Sequence, residues 1–190
     1  MSLTDAQIDR YSRQIIVPHV GGRGQERLLG ARILLVGDAR DIEAPFAYLV
    51  GAGVGTIIVN AAGVIDSIAA MHDLNPDVTV TDELKAPTDL ALLIVGSEEA
   101  RKLAEEIVKD GHVRGLVIAR LDDPGKIVVF PDARSARIVE AGFGERSESA
   151  DFIAMLATAE AFKLIAGYAE NPSHATIEFD GFETRVRVNP

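Results

Sequence analysis

The apolar residues of this chain come in short runs that predict an alternation of buried strands and helices. Four apolar residues follow Arg32 without a polar interruption and end at Gly37, a pattern typical of a strand covered on both faces, as in a parallel sheet. Residues 45–50 have the character of a helix that Pro45 opens, and glycines at positions 51, 53 and 55 end it. Residues 56–60 are predicted to form a second strand. This strand–helix–strand unit is the usual opening of a nucleotide-binding domain.

The same pattern predicts the remaining elements. Thr4 and Gln7 match a capping box, which places a short helix from there to about residue 16, where Pro18 and the glycines at 21 and 22 break it. Further helical segments are predicted at 25–29, 61–75, 98–109 and 150–166, and Ser97 and Ser149 are the predicted caps of the last two. Further strands are predicted at 78–80, 90–95, 115–119, 126–130, 175–180 and 184–188. A turn at 181–182 joins the last two strands. We therefore expect a three-layer, Rossmann-like α/β fold with a mainly parallel sheet and a C-terminal antiparallel extension.

One domain over residues 1–190 is expected, because no linker, repeat or low-complexity segment interrupts the pattern. Within it, we distinguish a helical segment at 1–30, a Rossmann-like core at 31–120, and a region of antiparallel strands with a long helix at 121–190.

The connection after the first strand is a poor phosphate cradle. A nucleotide loop needs glycines, so that bare backbone N–H groups can approach the phosphates. Here Gly37 is followed by Asp38, Arg40, Asp41 and Glu43, so three acids stand where an anion would bind. These acids favour the helix start but compete with a phosphate for the same N–H groups. The pattern indicates a nucleotide-type scaffold whose nucleotide site is lost or rebuilt.

Composition narrows the functional classes. The chain has 190 residues, 47% of them hydrophobic, and a net charge of -10. An acidic chain is a poor binder of phosphate backbones, so nucleic acid is not an expected partner. No apolar run is long enough to span a bilayer and the first residues are polar, so we expect a cytoplasmic protein without membrane contact.

Metal and thiol chemistry are also not expected. The chain has no cysteine, which excludes disulfides, cysteine zinc sites and thioester or persulfide chemistry on this chain. The four histidines, at positions 19, 72, 112 and 174, show no metal-ligand spacing. We therefore expect no metal.

Several longer stretches match a known pattern. The first is the decapeptide Gln-Ile-Asp-Arg-Tyr-Ser-Arg-Gln-Ile-Ile at residues 7–16, and others are 24–28, 31–37, the Tyr-Leu-Val-Gly-Ala-Gly-Val-Gly corner at 48–55, 74–78, 159–167 and 179–181. Together they resemble the MoeB, ThiF and HesA family, the bacterial relatives of the ubiquitin-activating enzymes. The decapeptide and the glycine corner are the specific signals, and the resemblance covers nearly the whole chain.

This resemblance implies a function for the family as a whole. Its members adenylate the C-terminal glycine of a ubiquitin-like protein, using ATP and magnesium, and are usually homodimers or paired halves. An arginine of the opening motif reaches into the neighbouring subunit's ATP site. By this resemblance Arg13 is the inserted residue, with Arg10 nearby; the alternative is that both are surface arginines that pack at a dimer contact.

The chain departs from the family at each part of the nucleotide site. The family's Gly-x-Gly-Gly-x-Gly loop falls on residues 37–42, and its acidic pair after the second strand falls on Asn60 and Ala62. The basic segment that follows has no clear counterpart between residues 62 and 75. The magnesium-binding aspartate falls near Ser97 and Glu98, where Glu98 is the one acid that can substitute.

Three functional hypotheses follow. The first is a non-catalytic member that keeps the scaffold and the dimer surface and acts as a partner, regulator or binding module in a sulfur-carrier or cofactor-biosynthesis setting, with no cofactor of its own. It pairs with itself or with an active relative, and a ubiquitin-like carrier protein is a possible further partner.

The second hypothesis is an adenylyltransferase with a rebuilt or partner-completed site. The third is a different ligand in the old cleft, lined by Arg40, Asn60, Ser97 and Glu98, although ordinary loop and cap chemistry also accounts for these four. Residues 145–149 are predicted to be an exposed loop, in the region that lies near the carrier tail in the family.

Overall fold

The fold is built on one mixed sheet. The computed structural model describes residues 2–62, 74–84, 87–110, 112–136, 143–168, 174–180 and 183–189. The strands of these residues are β1 (Arg32–Asp38), β2 (Thr56–Ala62), β3 (Thr79–Thr81), β4 (Thr88–Val95), β5 (Val113–Arg120), β6 (Gly125–Phe130), β7 (His174–Asp180) and β8 (Glu183–Asn189). The helices are α1 (Asp5–Arg10), α2 (Ser12–Ile15), α3 (Gly21–Gly30), α4 (Ala39–Ala52), α5 (Glu98–Asp110) and α6 (Ala150–Ala166), with a 3₁₀ turn at Ala133–Ser135.

The strand order confirms the predicted fold class. The eight strands lie in the order β3-β2-β1-β4-β5-β6-β7-β8. The first five in this order are mutually parallel. The remaining three continue the sheet as antiparallel neighbours. The chain therefore forms a Rossmann-like parallel core with an antiparallel extension at one edge.

Helices cover both faces of the parallel core, as the uninterrupted apolar run of β1 predicts. Ile33 and Leu35 point into the cluster beneath α4 and α6, whereas Leu34 and Val36 belong to the cluster beneath α5. All four side chains are almost completely buried. Since successive residues of a strand face opposite sides, only a strand buried on both faces tolerates such a run.

Helix α4 begins earlier than the sequence pattern suggested. It starts at Ala39, directly after the last residue of β1, and Pro45 lies inside it rather than at its first position. The reason is packing: Ile42, Phe46 and Leu49 recur at helical spacing and are fully buried against the sheet. Their burial outweighs the single backbone hydrogen bond that Pro45 cannot donate. The expected loop of residues 37–43 is thus the end of a strand and the first turns of a helix.

The N-terminal helix was predicted as continuous to residue 16, but the structure divides it at Tyr11. The backbone of Tyr11 leaves the helical region between α1 and α2, and its side chain is 1% exposed. The glycines at 21 and 22 were expected only to break a helix. They instead open α3, which is longer than the predicted turn at 25–29, and Gln25 and Leu28 are its buried anchors.

The predicted caps have mixed outcomes. Thr4 and Gln7 form both hydrogen bonds of the capping box, and Ser97 Oγ accepts the N–H of Ala100 at 3.2 Å. Ser149 precedes α6 as expected but its side chain does not cap the helix, because the backbone of Ser149 is not extended.

The predicted long helix, the strands of the C-terminal hairpin and the helix stop at Gly167 are confirmed. The helix predicted at 61–75 is wrong at both ends, because residues 61 and 62 continue β2 and residues 74 and 75 are not helical. Its middle, residues 63–73, and the turn at 181–182 lie outside the described residues.

A cluster of hydrogen-bonded polar side chains, which we call the lock, holds the N-terminal helices to the core. It consists of Tyr11, Asn75 and Asp77. Tyr11 Oη donates to Asp77 Oδ2 at 3.0 Å and accepts a hydrogen bond from Asn75 Nδ2, also at 3.0 Å. Asn75 also donates to the carbonyl of Val50 at 2.7 Å, near the end of α4. Burial, assisted by the nearby Asp77, raises the pKa of Tyr11 to about 12, so the phenol stays protonated and can donate. The opening motif and the glycine corner therefore meet in one hydrogen-bonded cluster.

Gly53 makes this lock possible. It is the C-cap of α4 in the left-handed conformation, with φ of 77°, and a Cβ built on it overlaps the Tyr11 ring. No other residue type satisfies both requirements without strain.

None of the helices in the described part of the chain combines the length and apolar character that crossing a bilayer requires.

Replacement of Gly53 by alanine is expected to lower the free energy of unfolding by about 3 kcal/mol, because it adds left-handed strain to a displacement of Tyr11. Gly51 is the matched control. It lies in the same helix, and a Cβ there meets nothing within 4 Å. Gly51→Ala should raise stability by about 0.5–1 kcal/mol. Urea unfolding measures the free energy of unfolding of both variants. Equal effects of the two substitutions would contradict the close packing of Tyr11 against Gly53.

Candidate functional site

The candidate site lies at the carboxyl edge of the parallel strands, where ligands bind in folds of this class. Gly37 near the end of β1 lies between Ala61 of β2 and Ile94 of β4 in the sheet register. A Cβ on Gly37 would lie 2.7 Å from the side chain of Ile42. The start of α4 is thus packed directly onto the strand ends, with no loop between them.

Asp41, the third residue of α4, lies at the centre of this packing. It is 4% exposed. Its Oδ1 lies 2.8 Å from Nη1 of Arg146 and 3.4 Å from Nε of Arg40. On the other side, Gly96 after β4 faces the carboxylate so closely that a Cβ there would overlap it. A negative side chain therefore occupies the space in front of the helix N-terminus.

The electrostatics of Asp41 combine opposing effects. Burial raises the pKa of its carboxyl above the ordinary value, and the charge of Asp38 adds to this, while Arg146 and Arg40 act to lower it. The positive end of the helix dipole also favours a carboxylate at this position. The two arginines and the helix start are what make a buried acid tolerable here.

Arg146 reaches Asp41 because its segment is tied to the sheet. The predicted loop at 145–149 is irregular and exposes Glu145 and Glu148 as expected, but Arg146 itself is only partly exposed. Asp123 N donates to the carbonyl of Glu145 at 2.9 Å, and Ser147 N donates to that of Leu121 at 2.7 Å. We call residues 143–149 the strap. These bonds pair it with the chain after β5, so that Arg146 is held over the start of α4.

A second carboxylate fastens the strap at its beginning. Asp122 accepts a hydrogen bond from Gly144 N at 3.0 Å and one from Arg120 Nε, also at 3.0 Å. Burial acts to raise the pKa of Asp122, but these donors outweigh it and the pKa is lowered. Asp122 therefore stays ionised and keeps both bonds at neutral pH.

The other predicted cleft residues are engaged in the fold. Ser97 Oγ donates to Asp38 Oδ1 at 2.9 Å, so these two predicted residues meet. Glu98 pairs with Arg101 of its own helix at 2.7 Å, and this hydrogen bond lowers its pKa. Asn60 lies two strands away from Ser97, opposite Val36 in the register. Arg40 is largely exposed and contacts Asp41 alone among the predicted set.

The two motif arginines lie away from this cleft. Arg10 pairs with Asp77 at 3.2 Å beside the lock around Tyr11, near the carboxyl end of α4. That is the opposite end of a helix about 20 Å long from Asp41. Arg13 is exposed on α2. Neither arginine is placed to serve the cleft of its own chain.

The residues at the strand ends do not fit a triphosphate. A phosphate needs free N–H groups and room for close approach. Here the Asp41 carboxylate fills the approach to the first turn of α4, Ile42 fills the space beside Gly37, and Asp38 adds a further negative charge. Across the part of the chain that the structure describes, no group of three metal-ligating side chains is found either.

Comparison with known proteins finds relatives that match parts of this chain. No family model matches it. The "SAMP-activating enzyme E1" of Haloferax volcanii is 40% identical over 84 residues, which are 44% of this chain and 29% of that protein. The "Adenylyltransferase and sulfurtransferase uba4" of Pyricularia oryzae is 52% identical over 56 residues, 29% of this chain and 11% of that protein. Parts of this chain are therefore similar to activating enzymes and adenylyltransferases of the MoeB/ThiF type.

A solved structure shares the fold of this chain. "E. coli MccB + ATP" superposes with a TM-score of 0.64 at 13% identity, over 94% of this chain and 71% of that one. The aligned part of this chain spans less than a third of either of the two sequence relatives. Both relatives carry names of the activating or adenylyltransferase type.

Sequence reasoning missed two residues of the site, Arg146 and Gly96. Gly96 left a weak signal, because it follows a buried strand directly and such a glycine often marks close approach of another chain segment. Arg146 carries no sequence signal that marks it as a site residue, because its contact with Asp41 is set by tertiary structure. An acid at the third position of a buried helix start does imply that some cation must approach it.

Replacement of Asp41 by asparagine should change how stability depends on pH. A raised pKa in the folded state means that the protonated carboxyl is favoured on folding, so this contribution is present at acid pH and is lost as the pH rises through the raised pKa. The stability of Asp41→Asn relative to the wild type should therefore increase with pH, by about 1.4 kcal/mol for each unit by which the pKa is raised.

Thermal unfolding from about pH 4 to 8 measures this difference. The exposed Glu43 of the same helix provides the control, because Glu43→Gln should leave the pH dependence unchanged. A relative stability of Asp41→Asn that falls as the pH rises would show that the pair with Arg146 dominates over burial.

Proposed function

We propose that this chain is a non-catalytic member of the MoeB/ThiF family that acts as a dimeric partner, regulator or binding module in a sulfur-carrier or cofactor-biosynthesis setting. One observation carries this proposal: the buried Asp41, paired with Arg146, stands at the helix start where the family's phosphate loop falls.

The chain lacks the electrostatic groups that adenylyl transfer requires. Adenylyl transfer depends mainly on positioning and on donors aimed at developing charge. Loss of one such donor costs about 3 kcal/mol, and here the glycine loop, the ribose acid and the metal acid are all replaced. Because these losses act on one substrate, we expect negligible adenylation by this chain alone.

The names of the relatives favour a role in partner binding. The archaeal relative is a SAMP-activating enzyme and the fungal one an adenylyltransferase, so both belong to the class that acts on ubiquitin-like or sulfur-carrier proteins. A member without a working nucleotide site retains the surfaces of that class, and binding is the activity those surfaces support.

The N-terminal segment, residues 1–30, is the proposed dimer surface. Ile16 is 77% exposed, and Val17 and Tyr48 are exposed by more than two fifths. A groove of about 440 Å³ beside them is lined by Gln14, Val17, Val20, Tyr48, Gly51, Ala52 and Phe162. Apolar side chains of this size left in water favour association.

Arg13 gives this surface a further role. It is exposed on α2 next to Ile16 and lies far from the cleft of its own chain. In a dimer with an active relative, it is available to approach the partner's triphosphate, as the family resemblance implies. Pairing with a second copy uses the same surface.

The C-terminal edge of the sheet is the proposed face for a carrier protein. β8 is the last strand of the sheet, and Val186 and Val188 are 63% and 64% exposed on the same side of it. An uncovered edge strand with exposed valines on one face offers both backbone groups and an apolar surface to another protein.

Calorimetric titration of the protein with Mg-ATP should give no binding heat and no change in melting temperature. A ligand at about a hundred times its Kd stabilises by roughly 2.7 kcal/mol, or about 5–10 °C for a domain of this size, so a null result is decisive. MccB of E. coli, whose solved structure includes ATP, provides a positive control. Saturable micromolar binding would contradict the proposal, and pyrophosphate exchange with a candidate carrier would support the enzymatic alternative.

Sedimentation equilibrium should show a dimer that Ile16→Glu dissociates, since the substitution places a charge in the proposed apolar contact. Val186→Glu introduces the same charge at a similarly exposed position on β8 and should leave the dimer intact. A dimer that only Val186→Glu disrupts would move the contact to the other edge of the sheet.

A further inference from the structure

The start of α4 has the construction of an oxyanion site whose occupant is part of the chain. Two arginines approach Asp41 from separate elements, Arg40 from the same helix and Arg146 from the strap. The helix has 14 residues and its positive end faces the same point. These are the groups that hold a phosphate or sulfate in protein structures.

The burial of Asp41 shows how completely this occupant fills the site. The carboxylate is 1% exposed, whereas Arg40 and Arg146 remain 67% and 30% exposed on its outer side. The strap that carries Arg146 is fixed to the chain after β5 by backbone bonds that do not involve Asp41. Removal of the carboxylate should therefore leave Arg146 near its present position, with access to solvent.

We infer that Asp41 is an internal competitor for a tetrahedral oxyanion, and that the pocket formed by Arg40, Arg146 and the start of α4 binds such an anion once this one carboxylate is removed. The inference rests on the proposed function, because it names the residue that closes the site. On this inference the Asp41 carboxylate has a role of its own, which is to keep anions out of the pocket.

The carboxylates that remain near the pocket set its expected affinity for an anion, and Asp38 is the first of them. Its carboxylate lies near Asp41, with one oxygen held by Ser97 and the other facing Gly96. Asp151 is a second remaining carboxylate, because it accepts a hydrogen bond from Arg146 Nη2 at 2.9 Å. These two negative charges weaken the binding of any anion in the pocket, so we expect inorganic phosphate to bind at millimolar rather than micromolar concentration.

The test compares Asp41→Ala with the wild type in inorganic phosphate and in chloride at equal ionic strength. The melting temperature of Asp41→Ala should rise by about 3 °C in phosphate at roughly tenfold its Kd, beyond any rise in the wild type. The double substitution Asp41→Ala with Arg146→Ala should lose this rise. Glu43→Ala removes an exposed acid from the same helix and should behave as the wild type.

The outcomes separate this inference from the proposed function. A folded Asp41→Ala protein, checked by circular dichroism, that shows no phosphate-dependent rise would overturn the internal competitor and leave the proposed function standing. So would a rise that Arg146→Ala does not abolish. Asp41→Ser serves the same purpose if the alanine variant does not fold. Binding of Mg-ATP by the wild type would instead overturn the proposed function.

Discussion

The direct passage of β1 into α4 is the constraint from which the rest of the candidate site follows. Because β1 ends at Asp38 and α4 begins at the next residue, Ala39, no loop separates the strand from the helix. The first turn of the helix therefore packs against the strand ends, with Ile42 next to the bare Cα of Gly37. A phosphate loop needs the opposite arrangement, in which the backbone stands away from the helix and turns its N–H groups outward. The space that a nucleotide uses in related folds is here part of the packed interior.

A buried carboxylate in such a place requires compensation, and the chain supplies it from three directions. The helix dipole, Arg40 and Arg146 all favour the ionised form, while the lack of water opposes it. Arg146 depends in turn on the strap and on Asp122, which fastens the strap. One acid at a helix start therefore organises residues from distant parts of the chain.

The fold was largely predictable because its signals are local. The apolar run of β1, the glycine corner and the stop at Gly167 each specify their own backbone, and the strands they predicted are present. The start of α4 was placed too late because Pro45 usually marks a first turn, and only the burial of Ile42 shows that the helix is longer. The sequence also pointed to the missing glycines and the acids of the cleft. It could not point to Arg146, because which cation meets Asp41 depends on how the strap folds back.

The lock around Tyr11 has a consequence for how such chains are recognised. The tyrosine of the opening motif, the glycines of the corner and Asn75 hold the N-terminal helices to the sheet without touching the cleft. Their presence in a sequence therefore reports that the architecture is intact and carries no information about turnover. Genome surveys that sort proteins by these hallmarks alone therefore group them by architecture, and the few positions that follow the first strand have to be compared separately.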